Sequence, residues 1–284
     1  MPVALVTGAS SGIGRATALL LARSGYRVFA TVRSDVGEEF LRTAAGALPV
    51  EILRLDLADE QGVTRVSREV LHRAGRIDAV VNNAGYATLG AVEDLPREDL
   101  RRQFEVNVFG AVQLCREVLP TMRAQQSGHI VNVSSLAGKV CVPLMGAYCA
   151  SKFALEAFSD ALRAEVKPGG VRVALVEPGP VATRFNELAR KESRQILEAP
   201  SVFHPVYQRL RRPAAERGAA SSERVARVIL RILRSGHPRA RYRVRLRESL
   251  AAGVVSVIPR GAMDWLLIRF MGGRRADQTE TADS

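Results

Sequence analysis

The sequence predicts an α/β fold, in which helices cover both faces of a doubly wound parallel sheet. Short apolar runs alternate with amphipathic helical patterns through the first two thirds of the chain. Most of these runs end in turns of small or polar residues. The length of 284 residues suits one such domain with a decorated C-terminal part. Because ligands bind at the carboxyl ends of parallel strands, we expect the turns to form one crevice.

Six apolar runs are interpreted as strands, and the segments between them as helices. The predicted strands are residues 3–7, 27–32, 50–55, 77–82, 129–134 and 171–177. The predicted helices are residues 12–24, 35–45, 59–73, a split segment over 96–126, and 146–167. An amphipathic helix is predicted from Val225, Val228, Ile229, Ile232 and Leu233, and an edge strand over residues 242–246. No internal repeat or second core is evident, so we predict a single domain.

The composition limits the classes of protein to consider. No apolar stretch reaches the ~18 uncharged residues of a membrane span, and the N-terminus lacks the basic segment of a signal peptide. We therefore expect a cytoplasmic protein. Cys115, Cys141 and Cys149 have no metal-ligand spacing and cannot all pair, which fits a reducing compartment. No metal site is expected, because the histidines lie far apart in the sequence; they are His72, His129, His204 and His237.

The net charge of +12 raises the question of a nucleic-acid partner. The excess comes almost entirely from arginine, and the arginines are scattered along the chain. No lysine-rich or aromatic-interleaved patch concentrates them, so no specific nucleic-acid binding is expected. Weak attraction to anionic lipids or other polyanions stays open.

A glycine-rich turn follows the first predicted strand. It reads Thr7-Gly8-Ala9-Ser10-Ser11-Gly12-Ile13-Gly14 and leads into a helical pattern. Strand, glycine turn and helix are the setting of a Rossmann-like dinucleotide site, where the helix N-terminus receives phosphates. Gly8 would permit the tight turn, while Gly12 and Gly14 would allow close approach of the pyrophosphate and the helix. The spacing differs from the common Gly-x-Gly-x-x-Gly, and an ordinary strand–helix loop is the alternative.

Tyr148 and Lys152 stand one helical turn apart and share a helix face. A phenol has a pKa near 10, so bringing it into working range near neutral pH requires roughly 4 kcal/mol. An ammonium group at ~4 Å with an effective dielectric near 20 supplies about that much. The pair could therefore make a general acid or base. The alternative is a pair of solvated side chains on a helix.

With these motifs in their order, the chain resembles the short-chain dehydrogenase/reductase family over its first two thirds. The residues that carry the resemblance are Thr7 to Gly14, Asp56-Leu57, Asn82 to Gly85, Asn107, Ser134-Ser135, Tyr148 with Lys152, and Pro178 to Thr183. The run of residues 178–183 and an apolar block at residues 263–271 also resemble the branch containing 17β-hydroxysteroid and retinol dehydrogenases.

The resemblance implies four catalytic residues. Tyr148 would exchange a proton with the oxygen of the substrate, and Lys152 would lower the pKa of Tyr148 and hydrogen-bond the nicotinamide ribose. Ser135, thirteen positions before Tyr148, would donate a hydrogen bond to the same oxygen, and is preferred to Ser134. Asn107 would hold a water that links Lys152 to solvent. A buried asparagine that braces a helix is its alternative.

The resemblance also implies the contacts of a nicotinamide dinucleotide. Asp56 and Leu57 would meet the adenine, and Asn83, Ala84 and Gly85 would line the path of the ribose and pyrophosphate. Thr183 would bond the carboxamide, while Asn82 would brace strands. The full set of predicted contacts is Gly8, Ser10, Ser11, Gly12, Ile13, Gly14, Arg33, Asp56, Leu57, Asn83, Ala84, Gly85, Asn107, Tyr148, Lys152, Pro178, Gly179, Val181 and Thr183.

The end of the second predicted strand favours NADP(H) over NAD(H). An acidic residue normally holds the ribose 2′-hydroxyl there, but Val32 occupies that position and Arg33 follows it. The guanidinium of Arg33 could clamp a 2′-phosphate, and Ser11 could add a hydroxyl. Asp35 would restore NAD binding if the strand ended later, and Arg33 could instead be a solvated charge.

We therefore expect an NADP(H)-dependent oxidoreductase that interconverts an alcohol and a ketone or aldehyde. The alternatives are a dinucleotide-binding sensor without turnover and a nucleic-acid-binding protein. The expected domain spans residues 1–271, with a mobile, helical substrate lid at 184–221 and a C-terminal extension at 222–271. The apolar block in that extension could cap the pocket of a lipophilic, steroid- or retinoid-like substrate, join a homodimer or homotetramer, lie on a membrane surface, or close the core. Residues 272–284 are expected to be a disordered polar tail.

Overall fold

The computed structural model describes residues 1–211 and 218–245, together with residues 261, 262, 265 and 268. Within them, seven strands form one parallel sheet. They are β1 (Val3–Val6), β2 (Arg27–Val32), β3 (Val50–Arg54), β4 (Ala79–Asn82), β5 (Gly128–Val133), β6 (Val171–Glu177) and β7 (Arg241–Arg243). Their order is β3-β2-β1-β4-β5-β6-β7. The predicted α/β class with its parallel sheet is confirmed. The order reverses between β1 and β4, which places the ligand crevice of such a sheet there.

Ten α-helices connect or flank the strands in the described chain. They are α1 (Gly12–Arg23), α2 (Asp35–Ala45), α3 (Glu60–Ala74), α4 (Arg97–Phe104), α5 (Gly110–Ala124), α6 (Gly146–Val166), α7 (Phe185–Glu192), α8 (Arg194–Glu198), α9 (His204–Arg211) and α10 (Ser222–Leu233). The predicted split segment at 96–126 is divided into α4 and α5 by one turn of π-helix, Glu105–Phe109. The five predicted N-terminal helical segments therefore exist with nearly the expected bounds.

Strand periodicity builds a core on each face of the sheet. In β1, Ala4 and Val6 point to the side covered by α1 and α10, whereas Val3 and Leu5 point to the side covered by α3 and α5. All four are buried, as expected for a strand with helices on both faces. The predicted apolar positions of α10 are buried against the first of these cores.

Local signals fix several helix ends. The Ser34 hydroxyl accepts a hydrogen bond from the Gly37 N–H at the start of α2, and Ser221 accepts one from Arg224 at the start of α10. At the end of α3, Gly75 takes the left-handed conformation with φ +69°. These caps satisfy backbone groups that a helix end leaves without an intrahelical partner.

Helices α7 to α9 lie within residues 184–221, where we expected a helical lid. They are held to the segment after β4 by buried side chains. The fully buried Tyr207 accepts a hydrogen bond from the Ala91 N–H at 2.7 Å and donates to the Asp94 carboxylate. The Ser193 hydroxyl accepts one from the Leu89 N–H at 2.7 Å. Buried hydrogen bonds therefore anchor the lid helices to the segment after β4.

The C-terminal predictions are met only in part. The edge strand begins at Arg241, one residue earlier than predicted, and residue 246 lies outside the described part of the chain. Of the apolar block at 263–271, only the exposed Trp265 and Ile268 are described, and the tail at 272–284 lies outside the description. No helix among the described residues combines the length and the hydropathy that a bilayer crossing needs.

Candidate active site

A cavity of about 550 Å³ lies at the carboxyl ends of the strands. Its wall takes residues from the segments that follow β1 through β6. The predicted site residues that line it are Gly8, Ser10, Ser11, Gly12, Ile13, Arg33, Asp56, Leu57, Asn83, Ala84, Gly85, Ser135, Tyr148, Lys152, Pro178, Gly179, Val181 and Thr183. Gly14 and Asn107 lie behind this wall. The turns that the sequence pattern indicates therefore converge on one crevice.

The glycine turn packs too tightly for side chains at two of its positions. Gly8 has φ +67°, and a Cβ there would lie 2.7 Å from the Cα of Ala84. A Cβ on Gly14 would lie 2.2 Å from the carbonyl oxygen of Gly8, so α1 starts directly against the turn. The first N–H groups of α1 have no intrahelical partner and are available to phosphate. The turn thus has the shape that a dinucleotide requires.

The turn is bound to the end of β4 through side chains of both segments. The Thr7 hydroxyl accepts hydrogen bonds from the N–H groups of Asn83 and Ala84, each at 3.0 Å. The Asn83 amide donates in return to the carbonyls of Thr7 and Gly8, at 2.9 and 3.2 Å. Next to it, Asn82 donates to Asn132 of β5 at 2.8 Å, the strand-bracing role that we expected.

Tyr148, Ser135 and Lys152 lie next to one another in the cavity wall. Tyr148 lies in the first turn of α6 and Lys152 one turn later, and both are buried. The Lys152 ammonium lies 5.8 Å from the centroid of the Tyr148 ring and donates to the Val133 carbonyl at 2.9 Å. Ser135 caps a short 3₁₀ turn, where its hydroxyl accepts from the Ala137 N–H at 3.1 Å. The same hydroxyl is a hydrogen-bond partner of the Tyr148 phenol.

Burial controls the ionisation of this cluster. It raises the pKa of Tyr148 to about 12, against the opposing hydrogen bond with Ser135. It also lowers the pKa of Lys152 to about 8, although the Glu156 carboxylate acts in the other direction. The structure differs here from our expectation that Lys152 lowers the pKa of Tyr148. The ammonium is itself desolvated and directs its hydrogen bond to Val133, so burial dominates both side chains.

Asn107 is a buried polar residue of the π-helical turn, and its side chain braces the site. Its amide donates to the Tyr86 carbonyl at 2.9 Å and to the Ser151 hydroxyl at 3.0 Å, and its oxygen accepts from the Tyr86 N–H at 3.1 Å. A Cβ on Gly85 would lie 3.0 Å from that oxygen. This geometry matches the bracing alternative. The role of a water carrier stays a prediction.

The residues near the end of β2 bear on the choice between the two cofactors. Arg33 lines the cavity and forms an ion pair with Glu192 of α7 at 3.4 Å. Asp35 lies in the first turn of α2, where it pairs with Arg54, and it is absent from the cavity wall. Of Arg33 and Asp35, only Arg33 therefore faces the cavity.

The cavity also contains apolar residues that the sequence did not lead us to expect there. They are Leu136, Ala137, Val142, Met145, Phe185 and Leu188. The ring centroid of Phe185 lies 5.5 Å from that of Tyr148. The only signal in the sequence was their closeness to Ser135, Tyr148 and Thr183, which does not show which way a side chain points. Glu192 had no signal at all.

Metal and disulfide chemistry have no support among the described residues. No group of histidine, cysteine and acidic side chains there could hold a metal ion. The three cysteines are free thiols. Burial raises the pKa of Cys115 to about 12, which makes this thiol unreactive.

Comparisons with known proteins agree with this site. Residues 2–194 match the family model described as short chain dehydrogenase. The chain is 35% identical to a probable short-chain type dehydrogenase/reductase, VdlC, of Helicobacter pylori, over 97% of this chain and 100% of that protein. It is 36% identical to 17-beta-hydroxysteroid dehydrogenase type 1 of Homo sapiens, over 84% of this chain and 76% of the human enzyme.

Solved structures give the same result. A metagenomic short-chain oxidoreductase in complex with NADP superimposes with a TM-score of 0.69 and 28% identity. The match covers 86% of this chain and 98% of the other. The family model spans more than half of the sequence, and the resemblance inferred from its motifs is confirmed. This chain is an enzyme of the short-chain dehydrogenase/reductase family that binds a nicotinamide dinucleotide.

Proposed function

We propose that the protein is an NADP(H)-dependent oxidoreductase that interconverts a lipophilic ketone or aldehyde and the corresponding alcohol. The observation that carries the proposal is the position of the Tyr148 phenol. It lines the same cavity as the glycine turn and the apolar residues, with Ser135 and Lys152 beside it. A proton donor in this cavity can serve a substrate oxygen that is reduced next to the cofactor.

The four predicted catalytic residues have distinct tasks in this proposal. Tyr148, whose pKa is about 12, holds its proton at neutral pH and donates it to the substrate oxygen during reduction. Ser135 donates a hydrogen bond to the same oxygen and stabilises its developing charge. Lys152 binds the nicotinamide ribose, and Asn107 keeps the Gly85–Tyr86 backbone and α6 in register. When bound, the nicotinamide supplies or accepts the hydride.

Two observations support NADP(H) as the preferred cofactor. Arg33 lies in the cavity wall, where its donors can bind a 2′-phosphate, and the preceding Val32 offers no carboxylate to a 2′-hydroxyl. The similar metagenomic oxidoreductase was solved with NADP. The remaining predicted contacts follow the family order: Asp56 and Leu57 at the adenine, Asn83 to Gly85 along the pyrophosphate, and Val181 and Thr183 at the nicotinamide.

The apolar wall supports a lipophilic substrate. Val142, Met145, Phe185 and Leu188 offer carbon surface in the same cavity as Tyr148. A sterol-like or polyene-like skeleton would gain roughly 25 cal/mol per Å² of apolar surface that it buries there. The name of the human relative, a hydroxysteroid dehydrogenase, points to the same class of compound.

The test is a screen of NADPH and NADH oxidation against aliphatic, aromatic, steroid and retinoid ketones and aldehydes. We expect the highest kcat/KM with NADPH and an apolar carbonyl compound. Tyr148→Phe should lower kcat by about 10²- to 10⁴-fold, because it removes the proton donor. Tyr26→Phe is the matched control, since it removes a buried phenol outside the cavity.

Two results would refute the proposal. Equal rates for the wild type and Tyr148→Phe would remove the proton-transfer role of that phenol. A preference for small polar carbonyl compounds would refute the proposal that the substrate is lipophilic. The cofactor preference is tested separately by Arg33→Ala, which should weaken the binding of NADPH far more than that of NADH. An unchanged ratio of the two affinities would show that Arg33 does not bind the 2′-phosphate.

A further inference from the structure

We propose that Glu192 determines cofactor specificity by competing with the 2′-phosphate of NADP(H) for Arg33. The inference rests on the proposed function in one respect, namely that Arg33 is the residue that binds this phosphate. It adds Glu192, a residue of the substrate lid, to those that distinguish NADP(H) from NAD(H).

The geometry places Glu192 on the group that the phosphate needs. Its Oε1 lies 3.4 Å from Nη2 of Arg33, and both side chains line the same cavity. Arg33 follows β2, whereas Glu192 ends α7, 159 residues later in the chain. The pair therefore joins the adenosine end of the cofactor site to the helix that covers the substrate.

The Arg33–Glu192 ion pair contributes little to stability, so a phosphate can replace the carboxylate at low cost. The side chains of Arg33 and Glu192 are 56% and 42% exposed, and ion pairs at such exposure stabilise a fold only slightly. A guanidinium binds one oxyanion well, through parallel hydrogen bonds. A phosphate carries a charge of about −1.5 to −2 near neutral pH. The phosphate would therefore have to displace the carboxylate from Arg33, and this competition lowers its affinity.

A cofactor with a free 2′-hydroxyl does not meet this competition. NADH leaves the Arg33–Glu192 pair in place, because its ribose does not need the guanidinium. Glu192 therefore weakens NADP(H) binding selectively and moderates the preference that Arg33 creates. This makes it a specificity-determining residue outside the motifs around which the cofactor site is built.

The test measures binding of adenosine 2′,5′-bisphosphate and adenosine 5′-monophosphate by calorimetry. These probes differ at the 2′-phosphate and need neither a substrate nor turnover. Glu192→Gln should tighten binding of the bisphosphate roughly three- to tenfold, as expected for one charge removed at short range in water. Binding of the monophosphate should stay within about twofold. Glu187→Gln is the matched control, since it removes an exposed charge from α7 outside the cavity.

The Arg33→Ala background separates the two ideas. There, Glu192→Gln should have no effect on either probe. Failure of the inference appears as an unchanged or weaker bisphosphate affinity in Glu192→Gln, as an equal effect of Glu187→Gln, or as an effect that persists without Arg33. Failure of the proposed function appears differently: Arg33→Ala alone would leave the ratio of the two affinities unchanged.

Discussion

At the scale of single residues, burial shifts Tyr148 and Lys152 in opposite directions and favours the neutral form of each. The phenol, with a pKa of about 12, keeps its proton at neutral pH, which suits an acid in the direction of reduction. The ammonium, with a pKa of about 8, loses its proton only slightly above neutrality. The charge of Lys152, and not the ionisation of Tyr148, should therefore set the pH range of the free enzyme.

We predict that kcat/KM for reduction falls as pH rises through about 8. Lys152 is cationic below its pKa and neutral above it, so ribose binding and stabilisation of developing negative charge are lost on the alkaline side. The profile of kcat/KM against pH reports the free enzyme and should approach a tenfold fall per pH unit. A profile that stays flat up to pH 10 would contradict the assignment.

Glu156 provides an independent control on that profile. Its carboxylate raises the pKa of Lys152, one helical turn away on α6. Glu156→Gln should therefore move the alkaline fall to lower pH. Glu165→Gln, which removes an exposed carboxylate of α6, should leave the profile in place. Equal shifts in both variants would show that general surface charge is responsible.

The glycine turn gives a second prediction at this scale. Gly8→Ala and Gly25→Ala both put a Cβ at positive φ, +67° and +89°, but a Cβ on Gly25 meets nothing within 4 Å. The left-handed conformation alone should cost about 1–2 kcal/mol of unfolding free energy at either position. The overlap with Ala84 should add about 1–3 kcal/mol at Gly8. Urea unfolding and nucleotide titration measure both effects.

Only Gly8→Ala should also weaken dinucleotide binding, because it moves the backbone that faces the phosphates. Equal stability losses and equal nucleotide affinities in the two variants would show that φ strain, and not the contact with Ala84, governs the turn.

Residues of the site differ in how far the sequence could predict them. Gly8, Ser135, Tyr148 and Lys152 belong to patterns with fixed spacing, and the structure brings them to one cavity. Glu192 does not, because its approach to Arg33 depends on where α7 lies against the sheet. The sequence also did not show how deeply Tyr148 is buried. We expected its pKa to be lowered, whereas burial raises it.

At the scale of elements, apolar periodicity predicted the strands and the main helices. It did not predict the turn that joins α4 to α5 or the bounds of the short lid helices. The split in residues 96–126 was expected, yet the π-helical turn at Glu105–Phe109 was not, since an extra residue per turn leaves no clear trace in the pattern. The lid helices α7 to α9 are short and mix charged and apolar residues. Their stability comes from tertiary contacts, which explains why propensity did not reveal them.

Tyr207 tests this account of the lid. Tyr207→Phe removes the hydroxyl that accepts from Ala91 and donates to Asp94, and leaves a buried N–H without its partner. We expect a loss of about 1–3 kcal/mol in unfolding free energy. Limited proteolysis should also accelerate within residues 185–211 before the rest of the chain is cut.

Tyr242→Phe is the control, because the Tyr242 hydroxyl accepts a hydrogen bond from the Arg239 N–H at an exposed position. It should change stability by less than about 0.5 kcal/mol. Wild-type proteolysis kinetics in Tyr207→Phe would mean that apolar packing alone holds the lid in place.

At the scale of the whole molecule, the sheet order and its two cores follow from the alternation of strands and helices. The edge of the sheet is held differently. Here Glu177, fully buried at the end of β6, lies within 3.1 Å of the guanidinium groups of Arg241 and Arg243 in β7, and 3.6 Å from the Lys139 ammonium. Glu156 of α6 joins the same network through Lys139 and Arg241.

This network explains why a three-residue strand so rich in arginine completes the sheet. Arg241 and Arg243 would be unfavourable next to the core unless carboxylates met them there. The hydrogen bond with Asp160 is the main cause that raises the pKa of Arg241; burial opposes it, and Glu156 raises this pKa further. From the sequence we interpreted these arginines as solvated surface charges. Their acidic partners lie more than 60 residues away along the chain, so the sequence did not indicate the ion pairs.

Glu177→Gln should therefore destabilise the molecule more than any single surface charge could. The amide cannot compensate three cations, and removing one partner from a buried ion pair typically costs about 3–5 kcal/mol. Because the site is buried, the loss in urea unfolding free energy should persist in 1 M salt, where exposed pairs are screened. The exposed Glu165→Gln variant should change stability by less than about 0.5 kcal/mol at either salt concentration. If high salt abolished the loss in Glu177→Gln, the network would be an ordinary surface interaction, and β7 would be held by its backbone pairing with β6 alone.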